Sequence, residues 1–103
     1  MQQTVTFFVH MNASRAWLTL SHAERSDFAA KALAPLLEKY PNITLRFYDT
    51  EAFTTKCSDI AVFETNSIPD FYGLMDSIRD SQLFTVPYFE FVDIIPAIEA
   101  DFV

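Results

Sequence analysis

The sequence predicts an α+β fold: a four-stranded antiparallel sheet carrying two helices on one face, in the order βαββαβ. Three observations lead there. Two stretches with apolar residues at three- and four-residue steps, each opened by a capping serine, alternate with four short runs rich in β-branched and aromatic residues. The two middle runs, Ile43–Asp49 and Ser58–Thr65, follow one another with no helix between them, whereas helical stretches separate the first from the second and the third from the fourth. The 103 residues, half of them hydrophobic with eleven Phe and a single Gly, suffice for one compact domain spanning 1–103, and no linker or internal repeat interrupts it.

Taken in order, Thr4–Met11 is rich in Val, Phe and Thr and reads as the first strand. Asn12-Ala13-Ser14 reads as a turn, and Arg15–Leu20, with Trp17, Leu18 and Leu20, as a short helical turn. Ser21 and Glu24 form a capping box, in which each side chain can satisfy the other residue's free backbone N–H. Phe28, Ala29, Ala32, Leu33, Leu36, Leu37 and Tyr40 then make one apolar stripe, and the helix ends near Lys39, before Pro41. Pro35 inside it removes a helical hydrogen bond and crowds the carbonyl of Lys31, which predicts a bend near Lys31 or Ala32.

In the second strand Ile43, Leu45 and Phe47 alternate with Thr44, Arg46 and Tyr48. A mainly polar connection, Thr50–Cys57, leads to the third strand, where Ile60 and Val62 are expected on the face opposite Asp59, Ala61 and Phe63. Ser67 caps the second helix, and Pro69 sits in its first turn, where a missing N–H does no harm. Its expected buried stripe is Ile68, Phe71, Tyr72, Met75 and Ile78, with Gly73 marking a close approach to the sheet. The fourth strand is expected from Tyr88 to about Ile94, ended by Pro96, with Ala97–Val103 docking as a turn of helix.

This order is the ferredoxin-like arrangement, and right-handed crossovers place both helices on one face. Val5, Phe7, Val9, Ile43, Leu45, Phe47, Ile60, Val62, Phe89 and Phe91 are expected beneath the helices. The opposite face is expected to carry Thr6, Phe8, His10, Arg46, Tyr48, Asp59, Ala61, Phe63, Tyr88, Glu90 and Val92. That face is too apolar to stay wet. A second copy laid on it about a two-fold axis closes an eight-stranded, two-chain barrel with helices outside, so a homodimer through the sheet face opposite the helices is expected.

Composition excludes several function classes. Seven basic against fourteen acidic residues give a net charge of −7, which repels nucleic acid and anionic membrane surfaces alike. Met1-Gln2-Gln3-Thr4 carries no basic region, and Val5–Val9 is too short for a signal or membrane segment, so a soluble cytoplasmic protein is expected. Cys57 has no second cysteine to pair with, and His10 and His22 lack ligand spacing, so neither a metal nor a cofactor is expected. There is no Gly-rich phosphate loop and no nucleophile motif.

Ala16-Trp17-Leu18 followed by Ser21 and Arg25, Leu45-Arg46-Phe47-Tyr48-Asp49 with Glu51-Ala52-Phe53, Ser58-Asp59, and Val92-Asp93-Ile94-Ile95-Pro96 together resemble the darcynin-like family over nearly the whole chain. These are small bacterial proteins of no established function, within the dimeric α+β barrel superfamily. That resemblance implies the dimeric barrel and no particular reaction, because the superfamily includes cofactor-independent monooxygenases, isomerases, haem enzymes and proteins with no known activity.

The residues leave three readings. The first is a homodimeric scaffold or small-molecule-binding protein, with Trp17, Phe63, Tyr88 and Glu90 as ligand-binding candidates. The second is a cofactor-independent enzyme of the monooxygenase or isomerase kind acting on a small aromatic or anionic substrate. There His10 would be the base, with Arg46, Tyr48 and Asp59 around it. The competing structural account pairs Arg46 with Asp59 or Glu90 inside the interface. The third is a protein-interaction module using the apolar tail around Phe102. Trp17 and Arg25 are also placed to form a lid over a pocket between helix and sheet, although a Trp with Leu18 and Leu20 is more often simple core.

Overall fold

The computed structural model describes residues 3–102. Four strands, β1 (Val5–Ala13), β2 (Ile43–Asp49), β3 (Asp59–Thr65) and β4 (Phe89–Ala97), form one antiparallel sheet in the order β2-β3-β1-β4. Helices α1 (Arg15–Leu18), α2 (His22–Phe28) and α3 (Ala34–Glu38) fill the first crossover, and α4 (Ile68–Asp80) with α5 (Gln82–Thr85) the second. The expected βαββαβ order holds, with α5 an addition that Ser81 caps by accepting from the Leu83 N–H.

Local chemistry explains the boundaries. The Ser21–Glu24 capping box is complete: the Ser21 N–H donates to Glu24 Oε1 at 2.8 Å and the Glu24 N–H to Ser21 Oγ at 3.1 Å. Between α2 and α3, Ala29–Leu33 is π-helical, and the Ala34 N–H reaches back five residues to the Ala29 carbonyl. This is where the bend was expected. Pro35 has no N–H for the Lys31 carbonyl, and the helix widens by one residue around the misfit. Ser67 caps α4 as predicted, accepting from the Asp70 N–H.

The core lies between the helices and one face of the sheet. Phe7, Val9 and Met11 of β1 meet Phe71, Leu74, Met75 and Ile78 of α4, and the Phe7 and Phe71 rings stack with centroids 3.7 Å apart. Several expectations need correction. In β3 the buried residues are Ala61, Phe63 and Thr65, because Phe63 pairs between Phe7 and Leu45, and Ala61 between Val9 and Phe47. Ile60 and Val62 therefore face the other way, opposite His10 and Phe8. On α4 the buried side is rotated from Tyr72 toward Leu74, leaving Ile68 and Tyr72 exposed. Gly73 approaches Tyr40 rather than the sheet: a Cβ there would lie 2.6 Å from the Tyr40 hydroxyl.

Strand β4 runs through Pro96 to Ala97, since an edge strand can spare that N–H on its outer side. His10 pairs with Asp93 and Met11 with Phe91, so Val92 is the extra residue of a bulge. The residues after Ala97 form no helical turn, and Phe102 is exposed; Val103 lies outside the described residues. Among the described residues no helix is long and apolar enough to cross a membrane.

Candidate functional site

A cleft of about 320 Å³ opens between α1, α2 and the helix-covered face of the sheet. Its position follows from one serine. The Ser14 hydroxyl caps α1 by accepting from the Trp17 N–H and donates to the Pro87 carbonyl at 2.6 Å, while the Ser14 N–H donates to the Tyr88 carbonyl at 2.8 Å. The end of β1 is thereby tied to the start of β4. Trp17 is delivered against Phe89 (centroids 4.9 Å) and edge-on to Phe28 and Tyr88 at 5.9 and 5.6 Å. Trp17, Phe28, Phe47 and Phe89 give the cleft its apolar lining, and His22, Arg25, Ser26 and Asp59 its polar atoms.

Both charged groups are held in place. Arg25 donates from Nε to the Trp17 carbonyl and from Nη2 to the Leu18 carbonyl, each at 3.3 Å, capping the end of α1. Its guanidinium lies 5.6 Å from the centroid of the Trp17 ring. Asp59 stands at the start of β3, where Ser58 Oγ donates to its Oδ2 at 2.7 Å and itself accepts from the Ala13 N–H at 2.7 Å. The Ser58 N–H in turn meets the Met11 carbonyl and Asn12 Oδ1, both at 3.0 Å. Burial pushes the Asp59 carboxyl above its usual range; the Ser58 hydrogen bond opposes the shift, Asp49 across the strand pair adds to it, and Arg25 opposes it. A more open hollow of about 450 Å³ on the outer side of α2 is lined by the exposed Asp27–Lys31 pair and by Glu24, whose carboxylate is already engaged in the Ser21 cap.

The darcynin family, described as a domain of unknown function, matches residues 1–103. This chain belongs to the darcynin family. It is 57% identical to Darcynin 1 of Acinetobacter baumannii over 86 residues, covering 84% of this chain and 96% of that one. A Darcynin of Chromobacterium violaceum is 56% identical over 70 residues, 68% of this chain and 89% of that one. Among solved structures, a dimeric chlorite dismutase from Nitrobacter winogradskyi superposes with a TM-score of 0.75 at 21% identity, covering 96% of this chain and 59% of that one. A mutant chlorite dismutase from Candidatus Nitrospira defluvii gives 0.77 at 11% identity, covering 98% of this chain and 42% of that one. The darcynin chain thus spans between two fifths and three fifths of those longer chains, and shares with them the α+β fold of a four-stranded antiparallel sheet with helices.

In this darcynin fold the sequence candidates separate into two groups on opposite sides of the sheet. Trp17 and Asp59 line the cleft, Tyr88 packs edge-on against Trp17 and Phe28, and Phe63 is core. Asp59, Phe63 and Tyr88 are therefore not on the uncovered face where they were expected. His10, Arg46, Tyr48 and Glu90 do lie on that face, opposite Asp93, Val62, Ile60 and Asn12 respectively. Arg46 consequently cannot pair with Asp59 within the chain. His22, noted in the sequence only for lacking ligand spacing with His10, borders the cleft; its place just behind the Ser21 cap, one turn before Arg25, was the available signal.

The raised Asp59 pKa has a consequence for stability. The fold favours the protonated acid, so the stability that group contributes is complete below its ordinary value of 3.8 and is lost as pH rises through the higher folded value. Asp59→Asn, which keeps an acceptor for Ser58, should raise Tm at pH 7 by about 2 °C, a small effect because the site is partly solvated. In thermal unfolding followed across pH, the gap between variant and parent should close toward pH 3.8; a gap that widens on acidification contradicts this account.

Proposed function

We propose that this chain is a homodimeric, cytoplasmic binding protein that holds a small aromatic or anionic molecule in the cleft between α1, α2 and the sheet. The observation that carries the reading is the cleft itself. Its volume is near the lower end of the roughly 300–1,000 Å³ range of small-molecule sites, and its lining is of their kind, apolar and aromatic with a few fixed polar groups. The fold it shares with a chlorite dismutase described as dimeric supports the assembly, as does the apolar open face carrying Phe8, Ile60, Val62 and Ile95. The cytoplasmic assignment rests on the acidic composition and an unpaired, buried Cys57, which suit a reducing compartment. An enzyme with His10 as base has less support, because His10 is across the sheet from the cleft.

Titration of isotope-labelled protein with indole tests the reading by NMR. Resonance shifts should gather on Trp17, Phe28, Phe47 and Phe89 and disappear in Ala29→Trp, which fills the cleft from the π-helical segment. Shifts confined to the open face, or none at millimolar indole, remove the reading.

A further inference from the structure

We infer that the cleft takes a bipolar aromatic ligand: a planar ring with an anionic group for Arg25 and, on its far side, a hydroxyl or amino donor for Asp59. This rests on the cleft-binding reading above and names the class of ligand.

Two charged side chains of opposite sign line one cleft and do not close on each other. The ion pair found among the described residues within 4 Å is Lys31–Asp27, not Arg25–Asp59. Each is restrained from its own side. Arg25 uses Nε and Nη2 on the carbonyls of Trp17 and Leu18, and its Nη1 has no protein acceptor among the described residues. Asp59 uses Oδ2 for the Ser58 hydroxyl, and its Oδ1 has no protein donor there. Beside the exposed His22 ring and Ser26 hydroxyl, the cleft therefore presents a free donor edge on Arg25 and a free acceptor atom on Asp59, between walls made by Trp17, Phe28 and Phe89.

That arrangement selects against simpler ligands. A plain hydrocarbon ring would desolvate both groups while pairing neither, which is unfavourable. An acid with no donor would satisfy Arg25 but leave Asp59, with Asp49 beside it, facing a ligand that offers it nothing. An organic cation would answer Asp59 and meet Arg25. A ring bearing both groups satisfies the two edges at once, and a site built to hydrogen-bond a group discriminates strongly against the analogue that lacks it.

Trp17 is the sole tryptophan and stands in the cleft wall, so its fluorescence reports on this site. The full chain is titrated with para-hydroxybenzoate, benzoate and phenol. Para-hydroxybenzoate should quench saturably and bind at least about tenfold more tightly than either of the others. Asp59→Leu should abolish its preference over benzoate without weakening benzoate, and Arg25→Gln should weaken both acids by about tenfold or more and leave phenol unchanged. Should Arg25→Gln lose helical circular dichroism, Arg25→Lys keeps the charge without the fork and should weaken both acids by about threefold or more. Equal affinities for the three probes overturn the proposed class, as does a preference that survives Asp59→Leu. If indole shifts the cleft resonances and none of the three acts on Trp17, the class alone falls; if indole is silent too, the binding reading falls with it.

Discussion

Leu74→Ala should lower the stability of the fold by about 3–4 kcal/mol, the middle of the range for fully buried leucines. Leu74 is 0% exposed and lies where α4 crosses the sheet, among Phe71, Met75 and Ile78 of its own helix and Phe7, Val9 and Met11 of β1. Truncation removes the transfer free energy of the lost methyl and methine groups and leaves a cavity. The neighbours cannot close it easily: Phe7 and Phe71 are stacked on one another and hold the strand and helix at a fixed spacing. In a domain of this size the loss corresponds to a Tm lower by roughly 15 °C or more. Tyr72→Ala, two residues away on the same helix but 74% exposed, should cost no more than about 0.5 kcal/mol. Urea unfolding of both variants measures the contrast, and equal costs would mean that α4 seats on a different face.

That contrast also shows where the sequence was sufficient and where it was not. The capping serines, the order of elements and the Pro35 defect were readable because each is a local event: a side chain meeting a backbone N–H three residues away, or a ring meeting a carbonyl one turn back. Face assignments were readable where one side of an element is polar. In β2 the alternation of Ile43 and Leu45 with Thr44 and Arg46 points the right way. In β3 the run Ile60, Ala61, Val62, Phe63 is apolar on both sides, so its phase is set by neighbours in the sheet. β-branched Ile60 and Val62 look like core residues, yet the layer under α4 needs the ring of Phe63 and, beside Phe47, the small Ala61. The same error moved Asp59 to the wrong side, away from the cleft, whose walls come from α1, α2, the π-helical segment, β2, β3, α5 and β4. Trp17 and Arg25 could be placed together beside a pocket because they belong to consecutive short helices; the carboxylate lining the same cleft, more than thirty residues further along the chain, could not.

The two-sided apolarity of β3 is at the same time the reason to expect a second copy, and Phe8→Glu tests it. Phe8 lies on the open face with Val62 on one flank and Ile95 on the other, neither able to pair a carboxylate. It is 37% exposed, and Ile95 beside it is 43% exposed, so in a lone chain the introduced carboxylate would reach water at small cost. In a face-to-face dimer each copy would instead bury an unpaired carboxylate, a penalty of about 3–5 kcal/mol and therefore a weakening of association by roughly a thousandfold or more. By sedimentation the parent protein should be a dimer at micromolar concentration and Phe8→Glu a monomer with unchanged far-ultraviolet circular dichroism. A monomeric parent, or a variant that remains dimeric, would take the open face out of the assembly. Because Trp17 and Asp59 are on the other side of the sheet, the monomeric variant should still respond to para-hydroxybenzoate with the parent's affinity, within about twofold. Loss of that response on dissociation would mean instead that the cleft is completed only when two sheets close on one another.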